Sequence, residues 1–156
     1  MEDKMNDITI NKILLPVDMS EASPLLVPFV RLMGQKFGAE IHVLFVARLF
    51  KHLSAIYVPD GSIEVFEADV LRGAEKKLQE FMDEYFRDTR SPASVVSGDP
   101  AEEILKYAER EEIDMIIMGT HGRKGLERVL FGSVAEYVVK NALVPVLTVN
   151  PYRQPA

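Results

Sequence analysis

The strongest constraint on this chain is an alternation. Five short apolar runs stand at Lys12 to Asp18 (KILLPVD), Ile41 to Val46 (IHVLFV), Ala93 to Ser97, Ile113 to Met118 and Val144 to Val149 (VPVLTV). Four longer stretches between them carry apolar residues at helical spacing. In the first these are Leu25, Leu26, Phe29, Val30 and Met33. In the second they are Phe66, Val70, Ala74, Leu78, Phe81, Met82 and Tyr85. Ile104, Leu105 and Ala108 mark the third, and residues 134–141 the fourth. Period-3.6 stripes read as helices with one buried face, and short continuous apolar runs read as strands covered on both faces. Crossovers between parallel strands are nearly always right-handed. The expected fold is therefore a three-layer α/β domain: a five-stranded parallel sheet with helices on both faces.

Local signals refine this. Asp99-Pro100-Ala101-Glu102 has the form of an N-cap, a proline at the first helical position and a glutamate at the third. Ser23 as N-cap would put Pro24 at the first helical position. Pro28, one turn further in, then predicts a kink or an irregular first turn. Gly34 or Gly38 ends that helix. Pro59-Asp60-Gly61 signals a turn inside the aperiodic stretch from Arg48 to Ser62. With no repeat, linker or low-complexity segment, 1–156 reads as one domain with its core at about 10–150 and flexible termini.

Composition narrows the function. Cysteine is absent, which removes disulfide scaffolds and thiolate metal sites. The start, MEDKMNDITI, lacks the apolar core of a signal peptide, and no apolar run reaches the ~18 residues of a membrane span. A soluble cytoplasmic protein is expected. The formal charge of −6 argues against a nucleic-acid partner. Yet GTHGRKGLERVLFGS, from Gly119 to Ser133, gathers four glycines with Arg123, Lys124 and Arg128. So local a cluster suits one small anion.

That segment has the chemistry of a phosphate cradle. Glycines let backbone N–H groups turn inward without a Cβ in the way, and Gly132-Ser133 opens a helix whose first amides attract negative charge. Hydrogen bonds to a charged phosphate, each about 1.5–3 kcal/mol, outweigh the helix dipole. Two plainer readings stand beside this one: Ser133 with Glu136 forms a capping box, and Gly119 is a turn residue. Ligands in open parallel sheets sit beyond the carboxyl ends of strands where strand order reverses. In a flavodoxin-like order the first and fourth strands flank that crevice, which would set Asp18 opposite Gly119. Asp18 either caps the first helix or accepts from ribose hydroxyls and helps hold a metal on phosphates. His121 reads as a loop residue with at most a ligand contact, because no orienting partner is identifiable. No histidine pair has metal spacing, and neither the P-loop nor the Rossmann glycine pattern occurs.

These residues resemble the universal stress protein family. Its ATP-binding members carry G-x2-G-x9-G-[ST] after the fourth strand, matched here by Gly119, Gly122, Gly132 and Ser133. KILLPVDMSEAS, IIMGTHG and VPVLTV are similar to other family segments, so the likeness runs from Lys12 to Val149. It implies strand order 3-2-1-4-5 and an adenine-nucleotide site. Pro16, Val17, Asp18 and Val46 would border adenine and ribose, Met118 and Gly119 the nucleoside. Gly122, Gly132, Ser133 and Val134 would hold ribose and phosphates; the loop's own composition adds Arg123 and Lys124 as point charges. The ligand would be ATP, AMP or ADP with Mg2+ or Mn2+, the metal carried by the phosphates and Asp18 its one protein candidate.

The resemblance also implies a homodimer through Val144 to Val149, an apolar edge that needs cover. The expected protein is a nucleotide-dependent regulator in stress response with at most slow ATP hydrolysis or autophosphorylation, since no arginine finger or water-positioning base is identifiable. A second expectation is an AMP- or cyclic-AMP-sensing interaction module without catalysis. A flavin protein on the same fold is a third, weakened because its cradle would follow the first strand.

Overall fold

The computed structural model describes residues 7–48, 61–121 and 131–152. Within them the expected alternation is present as β1 (Lys12–Val17), α1 (Ser23–Phe37), β2 (Glu40–Ala47), α2 (Ser62–Tyr85), β3 (Ala93–Ser97), α3 (Pro100–Arg110), β4 (Met115–Gly119), α4 (Ser133–Asn141) and β5 (Val146–Val149). All strand pairs are parallel and the order is β3-β2-β1-β4-β5, as the resemblance implied.

Strand alternation divides the core into two layers. Ile13, Leu15 and Val17 point to one face and pack with Leu26, Val27 and Val30 of α1 and with Leu78, Phe81 and Met82 of α2. Leu14, Leu44, Val46, Ile116 and Met118 face the other way, against Ile104, Tyr107 and Ala108 of α3 and Ala135 and Val138 of α4. His42 is buried in the second layer, where Nδ1 lies 3.0 Å from the Tyr107 hydroxyl and Nε2 lies 2.7 Å from Glu40 Oε1. Both ring nitrogens are satisfied, so this histidine is a structural one.

The helix starts differ instructively from expectation. Asp99 caps α3 as its sequence indicates, its Oδ1 accepting the Glu102 amide at 3.1 Å. Ser23 does not cap α1. The N-cap is Ala22, Ser23 begins the helix, and the Ser23 hydroxyl donates to Asp18 Oδ1 at 3.0 Å. The expected irregular start is there: Ser23 and Leu25 donate three residues back, to Ser20 and Ala22. The helix then runs unbroken past Pro28, which lies on its exposed side. Its buried stripe is rotated so that Val27 is inside and Leu25 is exposed. Gly38, at φ 63, closes it in the left-handed conformation that glycine favours.

Ser133 likewise fails as a cap. Gly132 is the N-cap of α4 and no side chain caps it. That shift moves Glu136 to the fourth helical position, where it pairs with Lys140 at 2.6 Å. The capping-box reading is thereby overturned. Phe66, expected on the buried stripe of α2, is 56% exposed, because the first half of α2 runs past the edge of the core.

Candidate functional site

The crevice begins at Pro16. β1 pairs with β2 along its whole length, but its pairing with β4 stops at Leu14↔Ile116. Pro16 has no amide to donate, and past this point β1 and β4 part at their carboxyl ends. A cleft of about 1090 Å³ opens there. Its floor and sides include Pro16, Val17 and Asp18 after β1, Val46 of β2, Met118 and Gly119 of β4, and Gly132, Ser133 and Val134 at the start of α4. Nine of the eleven residues singled out for nucleotide contact thus come together in one place. Gly122 and Arg123, with the rest of residues 122–130, lie outside the described residues.

Asp18 fills one role that its sequence position allowed and leaves room for another. Its Oδ1 accepts the Ser20 amide at 2.9 Å, the Ser20 hydroxyl at 2.6 Å and the Ser23 hydroxyl at 3.0 Å. This is a tight turn closed by a carboxylate. Met19, inside this turn, sits at φ 59, an unusual conformation for a residue other than glycine and of the kind that clusters at ligand sites. Oδ2 carries no hydrogen bond to a described residue and belongs to a group that lines the cleft.

Across the cleft, β5 and α4 are tied to the end of β4. Thr120 donates its amide to the Val149 carbonyl at 2.9 Å and accepts the Gly132 amide at 2.6 Å. The first ladder bond of α4 is Glu136 to Gly132, so the amides of Ser133, Val134 and Ala135 precede the ladder, and none donates to a described residue. The backbone is close here. A Cβ on Gly119 would stand 3.2 Å from the His121 carbonyl oxygen, and one on Gly132 would stand 3.3 Å from that of Thr120.

Sequence reasoning missed three features of the site. The first is a partner for His121, whose Nδ1 lies 2.8 Å from the Thr120 hydroxyl and whose ring meets Tyr152 edge-on. The second is Arg48, at the end of β2 and on the cleft wall. The third is the flank of α2, where Asp69, Val70, Gly73, Ala74 and Lys77 also line the cleft. Asp69, Gly73 and Lys77 recur every fourth residue, a row that was visible, but nothing local says which way it faces. Among the described residues no group of three or more His, Asp or Glu side chains could hold a metal, and no helix is long and apolar enough to cross a membrane.

The parallel sheet, the reversal of strand order between β1 and β4 and the amides converging on that reversal define an α/β protein of the kind that binds ligands beyond its strand ends. Comparison with known proteins sharpens this. The profile described as "Universal stress protein family" matches residues 9–150. The universal stress protein MJ0531 of Methanocaldococcus jannaschii is 37% identical over 145 residues, covering 89% of this chain and 81% of its own. The solved structure of MJ0577, from the same organism, superposes with a TM-score of 0.78 at 30% identity, covering 96% of this chain and all of the other. A universal stress protein of Archaeoglobus fulgidus, solved in complex with dAMP, shares the fold at TM-score 0.59 and 16% identity, over 90% of this chain and 98% of its own. The chain belongs to the universal stress protein family.

Proposed function

We propose that the cleft binds an adenine nucleotide, ATP or its ADP and AMP relatives, and that the chain acts in stress response as a nucleotide-dependent regulatory homodimer. The observation that supports this most is the placement of the Asp18 carboxylate and the unladdered amides of α4 around one cleft with apolar walls. Adenine fits the apolar part, near Val17, Val46 and Met118. Asp18 Oδ2 is an acceptor for ribose hydroxyls, and the amides of Ser133 and Val134 face the phosphates. Gly122 and Arg123 complete the cradle in this reading. Mg2+ or Mn2+ would arrive with the phosphates, and Asp18 Oδ2 is the carboxylate oxygen placed to meet it.

Hydrolysis or autophosphorylation would at most be slow. Among the described residues the site offers positioning and charge but no group shown to activate water. The dimer would form along β5, one of the two edge strands of the sheet, beside Leu143, which is 96% exposed. A second reading, an AMP- or cyclic-AMP-sensing interaction module without turnover, is favoured by the dAMP held by the A. fulgidus protein of the same fold.

Calorimetry with Mg-ATP, AMP and cyclic AMP, run beside a turnover assay and a size measurement with and without nucleotide, separates these readings. Saturable ATP binding that is lost in Gly122→Val supports the first. A nucleotide-driven shift in assembly without turnover supports the second. No binding of any adenine nucleotide contradicts both.

A further inference from the structure

α2 contains a glycine that the fold does not explain. Gly73 stands in the middle of a 24-residue helix, where glycine is a poorer choice than alanine because it loses more backbone freedom on folding. Two ordinary reasons for such a residue are absent. Its φ is not positive, unlike those of Gly38, Gly61 and Gly98. Nor is it packed close: a Cβ at Gly73 would have no described atom within 4 Å, whereas one at Gly34, the glycine inside α1, would stand 2.9 Å from Ile41 Cδ1. Gly34 is small because β2 presses on it. Gly73 is exposed, meets no described atom at its Cβ position, and is one of the residues that line the cleft.

Its neighbours follow the same trend. Leu78, Phe81 and Met82, further along α2, fill the core, while the turn that passes the cleft carries Gly73 and Ala74. Of the α2 residues on the cleft, Gly73 and Ala74 are the small ones, set between Val70 and Lys77. Asp69 and Lys77, one turn to either side of Gly73, put polar groups at the two ends of this stretch.

We propose that Gly73 sets the size of the ligand accepted on the α2 side of the cleft: its bare backbone leaves room for the outer edge of a planar heterocycle, and any larger side chain there competes with that ring. The proposal rests on the nucleotide reading for the identity of the ring, but the open space it describes does not.

The test compares the wild type with Gly73→Ala and Gly73→Leu. Both substitutions favour helix, so the fold check is a Tm that rises, by about 2–4 °C per kcal/mol gained in a chain of this length. Binding is read with two probes, Mg-ATP by calorimetry and anilinonaphthalene sulfonate, a planar apolar anion, by fluorescence. Gly73→Leu is expected to weaken Mg-ATP binding by about ten-fold or more, with a smaller loss in Gly73→Ala, as for a side chain forced into filled space. Unchanged Mg-ATP affinity in Gly73→Leu would overturn the proposal, and so would a Tm that falls. A wild type that takes up no Mg-ATP overturns the nucleotide reading alone. The dye then decides: weaker dye binding in Gly73→Leu supports the size role of Gly73, and unchanged dye binding overturns it.

Discussion

The Gly132 amide donates to the Thr120 carbonyl at 2.6 Å, and so the residue after β4 and the residue before α4 are held against each other. This bond brings the two ends of the glycine-rich segment together and aims the start of α4 at the crevice. A Cβ at Gly132 would lie 3.3 Å from the accepting oxygen. Gly132→Val is therefore expected to push the two ends apart by a few tenths of an ångström. The backbone there, at φ −68 and ψ 159, accepts a side chain without strain. The loss should appear in Mg-ATP affinity, about ten-fold or more by calorimetry, with a destabilisation of no more than about 1 kcal/mol.

Asp18 carries both a turn and, in the proposed function, a ligand contact, and two substitutions separate them. Asp18→Ala removes the acceptor of three hydrogen bonds and leaves the buried Ser23 hydroxyl without its partner. It is expected to lower stability by about 1.5–3 kcal/mol in denaturant unfolding. Asp18→Asn keeps an acceptor oxygen for the turn and should lose less than about 1 kcal/mol. Both should weaken Mg-ATP binding. An Asp18→Asn protein that binds as tightly as the wild type would remove the carboxylate charge from the site.

Far from the cleft, Arg31 of α1 reaches past the end of α2. It donates to both carboxylate oxygens of Asp88, at 2.9 and 2.6 Å, and to the Tyr85 carbonyl at 2.8 Å. The hydrogen bond from Arg31 holds the Asp88 carboxyl below its ordinary value, and the bond to Asp88 raises Arg31. A depressed carboxyl favours folding at pH values above its unfolded pKa, about 3.9, and loses that contribution as pH falls through the lower native value. Asp88→Asn should thus lower Tm slightly at pH 7, and the difference should shrink as pH falls below the ordinary carboxyl range. Since the pair is exposed, the difference should shrink in high salt.

The free edge of β5 makes a prediction about assembly. Leu143, just before this strand, is 96% exposed within one chain. If a second copy covers the edge, Leu143→Lys places a charge in the contact and should yield monomers in sedimentation at concentrations where the wild type is dimeric. A monomeric wild type would contradict the homodimer.

Much of this architecture was legible because the signals behind it are local. The apolar runs alternate with helical stripes in the order in which strands and helices occur. Asp99-Pro100-Ala101-Glu102 caps its helix because the donor and acceptor lie three residues apart. The misreadings share a cause. Ser23 looks like a cap, but its hydroxyl is engaged by Asp18, five residues back, in a turn that no helix-start rule describes. Ser133 looks like a cap, but α4 starts a residue early, where Gly132 is held by Thr120 just beyond β4. The α2 wall was hidden for the same reason. Asp69, Gly73 and Lys77 share a helix flank, yet only the packing of α2 against β2 and β3 turns that flank toward the cleft.

The most direct measurement is amide chemical-shift mapping of the uniformly labelled protein titrated with Mg-ATP. Saturable changes are expected at Asp18, Val46, Gly119, Ser133 and Val134, which line the cleft from three strand ends and one helix start. Little change is expected at Arg31 of α1 and Asp88 after α2, which pair outside the cleft lining. No saturable change, or changes centred away from the β1–β4 crevice, would contradict a nucleotide site there.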